Sequence, residues 1–325
     1  MPPDQMATKA VKKRGLTVAV TGATRDLGRL LIPKLEADPD VDRILAFDLK
    51  PAEGAKVEFR RLDLTRPDAE NELAEALQEQ PVDALYHLSF AYERVRNPAL
   101  AHELEVSGSM QLLSAVARAA VPRLILPSLT MLYGAQRNHP ALYREEADLA
   151  GCPTSRFVTD KLQVERAVEK FRTHHPKTRV IVLRFAPILG QNVDNPATRM
   201  LSRSWVPTLM GLDPLWQSLH EEDAAEAMHR ALRADTQGAF NIVADEVIPL
   251  SGLVREAGAQ PVPLPPPLAR AMLRALNSVG VTAMPLSLLN YLHYSWVADG
   301  TRARRVLGFV PRYSTRDAAH ALRGS

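Results

Sequence analysis

Three stretches of this sequence place chemistry-bearing residues at telling intervals. In "SRFVTDKLQVERAV", residues 155–168, the stripe Phe157, Lys161, Val164, Val168 and Phe171 recurs at steps of four and three. That spacing puts one helix face against a core or a partner element. A lysine on such a face either snorkels to water or is there for chemistry. In "TGATRDLGRLL", Gly22 and Gly28 bracket a strand-to-helix turn. A dinucleotide-binding turn needs glycine for its tight bend and again where helix packs on strand, and these two residues fill those roles. Arg25 stands where a third glycine lets the backbone approach the pyrophosphate. Gly22, Arg25, Asp26, Leu27 and Gly28 would together face the phosphates. Asp26 reads as the helix N-cap; its carboxylate opposes a phosphate, which Arg25 would offset by pairing with either. The third stretch ends in Asp48, about twenty residues beyond Gly28, where an acid accepts a hydrogen bond from a ribose hydroxyl. An acid there favours NAD, because it repels a 2′-phosphate; Lys50 and Arg25 keep NADP as the alternative.

Other reactive side chains have plainer readings. Ser128, Thr130, Tyr133, Ser155 and Thr159 fall near strand and helix ends, where hydroxyls mostly cap, and Tyr143 lies in a loop from which it would swing toward the site. His87 sits inside an apolar strand as a satisfied core histidine. His174 and His175 adjoin at a helix end and cap it. Cys152, the single cysteine, excludes an internal disulfide framework, fits a reducing, cytoplasmic compartment and reads as a small buried residue. The nine histidines include no HExxH pair, so no metal site is expected.

The elements that must position these residues alternate. Strands are expected at 16–22, 42–50, 56–65, 82–89, 121–129 and 178–190. Helices are expected at 26–38, 66–80, 97–120 and 154–175, the third weakened by Gly108. Pro33 in the first is tolerable only near a helix start. Strands alternating with helices imply right-handed crossovers and a parallel sheet covered on both faces, with ligands at the carboxyl ends of the strands. The fold class is therefore α/β, a Rossmann-type doubly wound parallel sheet.

The order of short segments along nearly the whole chain resembles the extended short-chain dehydrogenase/reductase family, the nucleotide-sugar epimerase/dehydratase group and its relatives. "TGATRDLG" looks like TGxxGxxG. "LDLT", with Asp63 and Leu64, looks like the adenine-side segment, and "YHLSFA", with Leu88, Ser89 and Phe90, is similar to the cofactor-lining HLAA. "LPSLTMLYG" is similar to SSxxVYG, and "LRFAPILG", with Pro187, resembles LRxxxxxG. "LHEEDAAEAMHRAL", "GAFNIVADEVIPLSGL" and "RARRVLGFVPRYSTRDAAHAL" look like segments of the family's second half. The resemblance implies a YxxxK helix in which tyrosine is the acid/base and lysine lowers its pKa and holds the nicotinamide ribose. Here Lys161 matches and Phe157 occupies the tyrosine position. It also implies a serine or threonine five residues before the glycine of YG; that residue is Leu129, flanked by Ser128 and Thr130. Phenylalanine cannot supply acid/base catalysis, commonly worth ~10²–10⁴-fold. Leucine cannot hydrogen-bond an oxyanion, a loss of about 10²–10³-fold. The family implies a homodimer built through the helices at about 97–120 and 154–173.

From about residue 191 the texture changes. The expected organisation is a tail at 1–15, a nucleotide-binding domain at 16–190 and a smaller carboxyl-terminal α/β substrate lobe at 191–325, with about 219–243 packing back on the first. The tail is basic and lacks an apolar h-region, so it is not a secretion signal. In 261–297 a proline run precedes Leu268, Met272, Leu273 and Leu276 on one face, with Arg270 and Arg274 on another. This stretch reads as a packed lobe, then as a pocket or lid for a hydrophobic substrate, and third as a basic amphipathic element lying on a membrane surface or on a partner subunit. Net charge is only +3, which gives no reason to expect nucleic acid. The expected activity is NAD(P)-dependent oxidoreduction of a non-sugar, hydrophobic small molecule without the usual tyrosine. A cofactor-binding sensor or scaffold without turnover is the second reading, and a nucleotide-sugar epimerase or dehydratase the third.

Overall fold

The structure is a computed structural model that describes residues 14–89, 98–278 and 286–323. Phe90 and the tail before Arg14 lie outside them, as do the side chains of Leu273, Leu276, Arg270 and Arg274. Seven parallel strands form one sheet: β1 Leu16–Thr21, β2 Val41–Asp48, β3 Val57–Arg61, β4 Ala84–His87, β5 Arg123–Leu129, β6 Arg179–Phe185 and, far along the chain, β11 Gly238–Ile242, in the order β11-β6-β5-β4-β1-β2-β3. The order reverses beside β1, so the crevice at its carboxyl end is the topological switch point where such sheets take ligands. The strands are Val-, Ile- and Leu-rich because both faces are covered. On one face pack α1 Asp26–Ala37 and α7 Glu221–Ala231. On the other pack α2 Ala69–Glu79, α4 Gly108–Arg118 and α5 Arg156–His174.

Smaller elements complete the second half. β7 Ile188–Leu189 pairs with β10 Leu219–His220, β8 Trp205–Leu209 with β13 Gln260–Leu264, and β9 Leu215–Trp216 with β12 Ile248–Pro249. Helices α6 Pro196–Leu201, α8 Leu250–Glu256, α9 Pro266–Ser278 and α10 Thr315–His320 lie among them. Through β11 this half returns to the main sheet in register with β6, Phe240 opposite Leu183.

Four local expectations need correction. The N-cap of α1 is Arg25, extended at φ −76° and ψ 166°, rather than Asp26. Asp26 is the first helical residue, and its carboxylate accepts from Arg29 Nη2 and from the Asp194 backbone N–H, each at 2.7 Å. Pro33 sits well inside α1, on its exposed side. The Arg29 carbonyl that loses a partner there can meet water, while Leu31, Ile32 and Leu35 anchor the opposite face. The strand expected over 178–190 is broken after Phe185 and resumes as β7. The helix expected over 97–120 is a composite: α3 Pro98–His102, a π-helical turn Glu103–Ser107, then α4. The Gly108 N–H reaches back to the Glu103 carbonyl. A Cβ on Gly108 would lie 3.1 Å from both Cβ and O of Leu64, so the helix resumes its α register on a residue that can approach that backbone closely.

Candidate functional site

The turn between β1 and α1 is built by its glycines. Gly22 has φ +71°, a left-handed conformation, and a Cβ there would lie 2.6 Å from Leu88 C and Ser89 N. A Cβ on Gly28 would lie 2.3 Å from Gly22 O. The helix start is thus seated directly on the turn, its N–H groups and positive dipole end at the crevice, as an anionic phosphate requires. Arg25 has negative φ, so a side chain is allowed where the fingerprint prefers glycine. Buried Asp48 fastens the turn from β2: its Oδ2 accepts from Thr24 N and Oγ1 at 2.9 Å each, and its Oδ1 from Leu49 N at 2.6 Å. Oδ1 retains a lone pair for a hydroxyl donor. An open groove of about 1410 Å³ runs beside it, lined by Thr24, Arg25, Asp48, Leu49 and Lys50 among others. Asp63 turns its own loop, with Oδ1 accepting from Thr65 N at 3.0 Å and Oγ1 at 2.7 Å. Leu64 and Leu88 are buried and Ser89 is half-buried behind Gly22. These residues fit a dinucleotide: the cradle is closed to any Cβ, the helix terminus is positive, and an acid stands at the strand end.

Lys161 does not snorkel. Only 5% exposed, it pairs with Glu105, equally buried, at Nζ–Oε1 2.7 Å. Glu105 comes from the π turn, and its Oε2 is buried without a hydrogen-bond partner. Burial lowers the Lys161 pKa, and the Glu105 carboxylate offsets part of that fall. His87, at the end of β4, lies between Thr21 Oγ1 at 2.9 Å and Ser109 Oγ at 3.0 Å. Burial, with the Lys161 charge nearby, pushes its imidazole down to about 3 and leaves it neutral.

The hydroxyls flanking Leu129 are engaged within the protein. Ser128 donates to Glu165, whose Oε1 accepts from Arg184 Nε at 2.8 Å. Arg184 also donates to the Tyr133 hydroxyl at 2.8 Å, and that hydroxyl donates to Asn241 Oδ1 at 2.7 Å. Thr130 donates weakly to the Phe185 carbonyl at 3.4 Å. Ser155 caps α5, and Thr159 is exposed on it. Tyr143 is not free to swing: it is buried, stacks on Tyr133 with centroids 4.8 Å apart, and donates to Gly134 O. Cys152 is buried and in no disulfide, with its Sγ 3.4 Å from Thr154 Oγ1.

Leu129 and Phe157 meet instead in a cavity at the carboxyl ends of β5 and β6. It encloses about 610 Å³, its open mouth included, and its other walls include Met131, Phe185, Pro187, Val193 and Trp296. Among the described residues its polar lining groups are Asp26 and Asn195, both already committed, and the Trp296 indole N–H, which is buried without a hydrogen-bond partner. Asp26 holds Arg29 and the Asp194 N–H. Asn195 caps α6 and donates to Ile188 O at 2.6 Å. Ser128, Thr130 and Lys161 are not among the lining residues. Sequence reasoning missed Glu105 and the Glu165–Arg184 pair, because each partner comes from a different element. Among the described residues no cluster of His, Cys, Asp and Glu could hold a metal ion, and no helix is long and apolar enough to cross a membrane.

A family model described as NAD dependent epimerase/dehydratase family matches residues 18–243. An uncharacterized protein of Mycobacterium tuberculosis (strain ATCC 25618 / H37Rv) is 33% identical over 306 residues, 93% of this chain and 81% of its own length. The crystal structure of UDP-glucose 4-epimerase from Thermotoga maritima, with UDP-glucose, is similar at TM-score 0.71 and 19% identity, covering 94% of this chain and 97% of that one. That of dTDP-glucose 4,6-dehydratase from Bacillus anthracis, in complex with NAD, is similar at TM-score 0.70 and 14% identity, covering 95% of each.

Proposed function

The chain belongs to the NAD dependent epimerase/dehydratase family, and from that premise we propose that it binds NAD and catalyses oxidoreduction of a hydrophobic, non-sugar small molecule without a tyrosine acid/base. The observation that carries this reading is the cavity. Where the resemblance assigns a serine and a tyrosine, Leu129 and Phe157 line a space of about 610 Å³ whose remaining walls are almost all apolar. The missing hydroxyls have left a formed pocket rather than a filled one. A sugar ring, with several hydroxyls to satisfy, would bury them unpaired there.

Bound NAD supplies the hydride donor or acceptor. Gly22 to Gly28 would lie along the pyrophosphate, with Arg25 adding positive charge. Asp48 would accept from a ribose hydroxyl, and Asp63, Leu64, Leu88 and Ser89 would flank the adenosine side. Lys161 would hold the nicotinamide ribose, and Pro187 would border the ring. The apolar walls would align the substrate and exclude water, which is the contribution of positioning. Among the described lining residues no side chain is available to deliver a proton, so the proton would exchange with water, and turnover would run about 10²–10⁴-fold below that of an enzyme with a placed acid. The protein would act in the cytoplasm as a homodimer through α3, α4 and α5, on which Leu100 is exposed.

A second reading, an NAD-binding protein without turnover, is favoured by one feature: among the described residues Asp26 is the only titratable one lining the cavity, and it is bonded elsewhere. One experiment separates the two. NADH titrated by fluorescence is expected to bind, and wild type should reduce members of a panel of apolar ketones slowly. Phe157→Tyr should raise that rate at least tenfold, and Lys161→Ala should weaken NADH binding. Turnover only in the tyrosine variant would favour the binder; no binding of NADH sinks both.

A further inference from the structure

We infer that Glu105 is a positioning residue of this site: it holds the Lys161 ammonium charged and fixed, as the buried counter-ion that Phe157 cannot provide. The inference rests on the proposed NAD reading for what Lys161 is positioned to do, but the pair itself stands on geometry. A buried ammonium needs an anion or it loses its proton. In a YxxxK helix the phenol one turn before the lysine can share that charge. Here the ring is Phe157, which has no polar atom. The anion comes from across the helix pair, with Glu105 Oε1 at 2.7 Å from Lys161 Nζ and both side chains only 5% exposed.

The local fold is arranged around that contact. Glu105 lies in the π-helical turn Glu103–Ser107, whose extra residue re-aims side chains inside an otherwise regular helix. Its backbone carbonyl accepts from Ser109 Oγ at 2.5 Å. Ser109 meets His87, and His87 meets Thr21 at the end of β1, next to Gly22. The turn that would hold phosphate and the lysine that would hold ribose are thus joined by a continuous chain of contacts through Glu105.

Among the described residues, other charged groups near Lys161 contribute less. Glu165, one turn further along α5, attracts it at longer range but is bonded to Ser128 and Arg184. His87 from β4 is neutral. Ser128 from β5 carries no charge. Glu105 is therefore the dominant counter-ion among the described residues.

The test follows the Lys161 side chain by NMR in lysine-labelled protein, assigned with Lys161→Met, and measures NADH affinity between pH 6.5 and 9. Wild type should keep Lys161 charged across this range, with affinity changing by less than about threefold. Glu105→Gln should bring the Lys161 titration to lower pH, and its NADH affinity should fall about tenfold or more as pH rises. Glu105→Asp should restore most of the wild-type profile. An unchanged Lys161 titration in Glu105→Gln overturns the inference, as does an unchanged affinity profile. If Glu105→Gln does not fold, the double variant Glu105→Gln/Lys161→Met decides. Recovery of a cooperative melt supports the pair, and no recovery overturns it. If wild type binds no NADH, the cofactor reading fails, and the lysine titration alone judges the pair.

Discussion

At the scale of single residues, Leu129 and Phe157 line an apolar cavity, and Lys161 on the same helix as Phe157 is held in a buried ion pair with Glu105. Breaking such a pair by removing one partner commonly costs about 3–5 kcal/mol, and Glu105→Gln is expected to destabilise the fold by that order at pH 7. The pH dependence has a definite sign. The folded Lys161 pKa lies below the unfolded value and falls further without Glu105. Between the two pKa values the unfolded chain binds more protons, so stability rises with pH. The deficit of Glu105→Gln should therefore shrink as pH climbs toward 10, which urea denaturation at pH 7 and 9.5 will check. Lys161, Phe157, Gly22, Gly28 and Asp48 could be named as candidates from the sequence because each belongs to a local pattern. Glu105 could not, because its meaning depends on a lysine 56 residues away in the chain that only the packing of α5 against the π turn brings to 2.7 Å. Tyr143 failed for a related reason: its loop is pinned by Tyr143 N to Val297 O at 2.9 Å, a partner from the far end of the chain.

At the scale of elements, the alternation of strands and helices could be read because hydrophobic runs and turn residues mark it directly. Helix details could not. A π turn leaves no signature in residue spacing, and the start of α1 looked like an Asp26 cap because the true cap, Arg25, makes no side-chain cap bond. The glycines are the firmer guide. Gly28→Ala would force a methyl within 2.3 Å of Gly22 O, and the turn cannot relax without moving α1. The expected outcome is a loss of about 1–3 kcal/mol in stability and at least a tenfold loss of NADH affinity. Thermal melting and fluorescence titration test these separately.

At the scale of the whole molecule, the second half is bound to the first by more than β11. Asp38, just after α1, accepts from Arg233 Nη2 and meets His229 Nε2, each at 2.6 Å, and both partners belong to α7 or the turn beyond it. The Arg233 guanidinium, with help from His229, holds the Asp38 carboxyl well below the usual carboxylate range against the opposing effect of burial. That stability is present above the unfolded carboxylate pKa near 3.9 and is lost as pH falls below it. Because Arg233 is 41% exposed, screening discounts it, and Asp38→Asn should cost about 0.5–1 kcal/mol at pH 7 and progressively less below pH 4. The packing of about 219–243 on the first half was expected, but not its bonding through Asp38, since these residues lie nearly two hundred positions apart.

The bond from Asp194 N–H to Asp26 has a consequence for anyone who would redesign this protein. Asp26 stands on the turn that faces phosphate, yet its carboxylate also tethers the segment that carries Val193 and Asn195 into the cavity wall. Two selection pressures therefore meet on one side chain. Asp26→Gly should tighten NADH by removing a repulsive charge, and in the same stroke slacken the wall and weaken apolar ligands severalfold, as paired calorimetric titrations would reveal. Adaptation toward the cofactor and adaptation toward the substrate pull against each other at this position, and neither can be improved there alone.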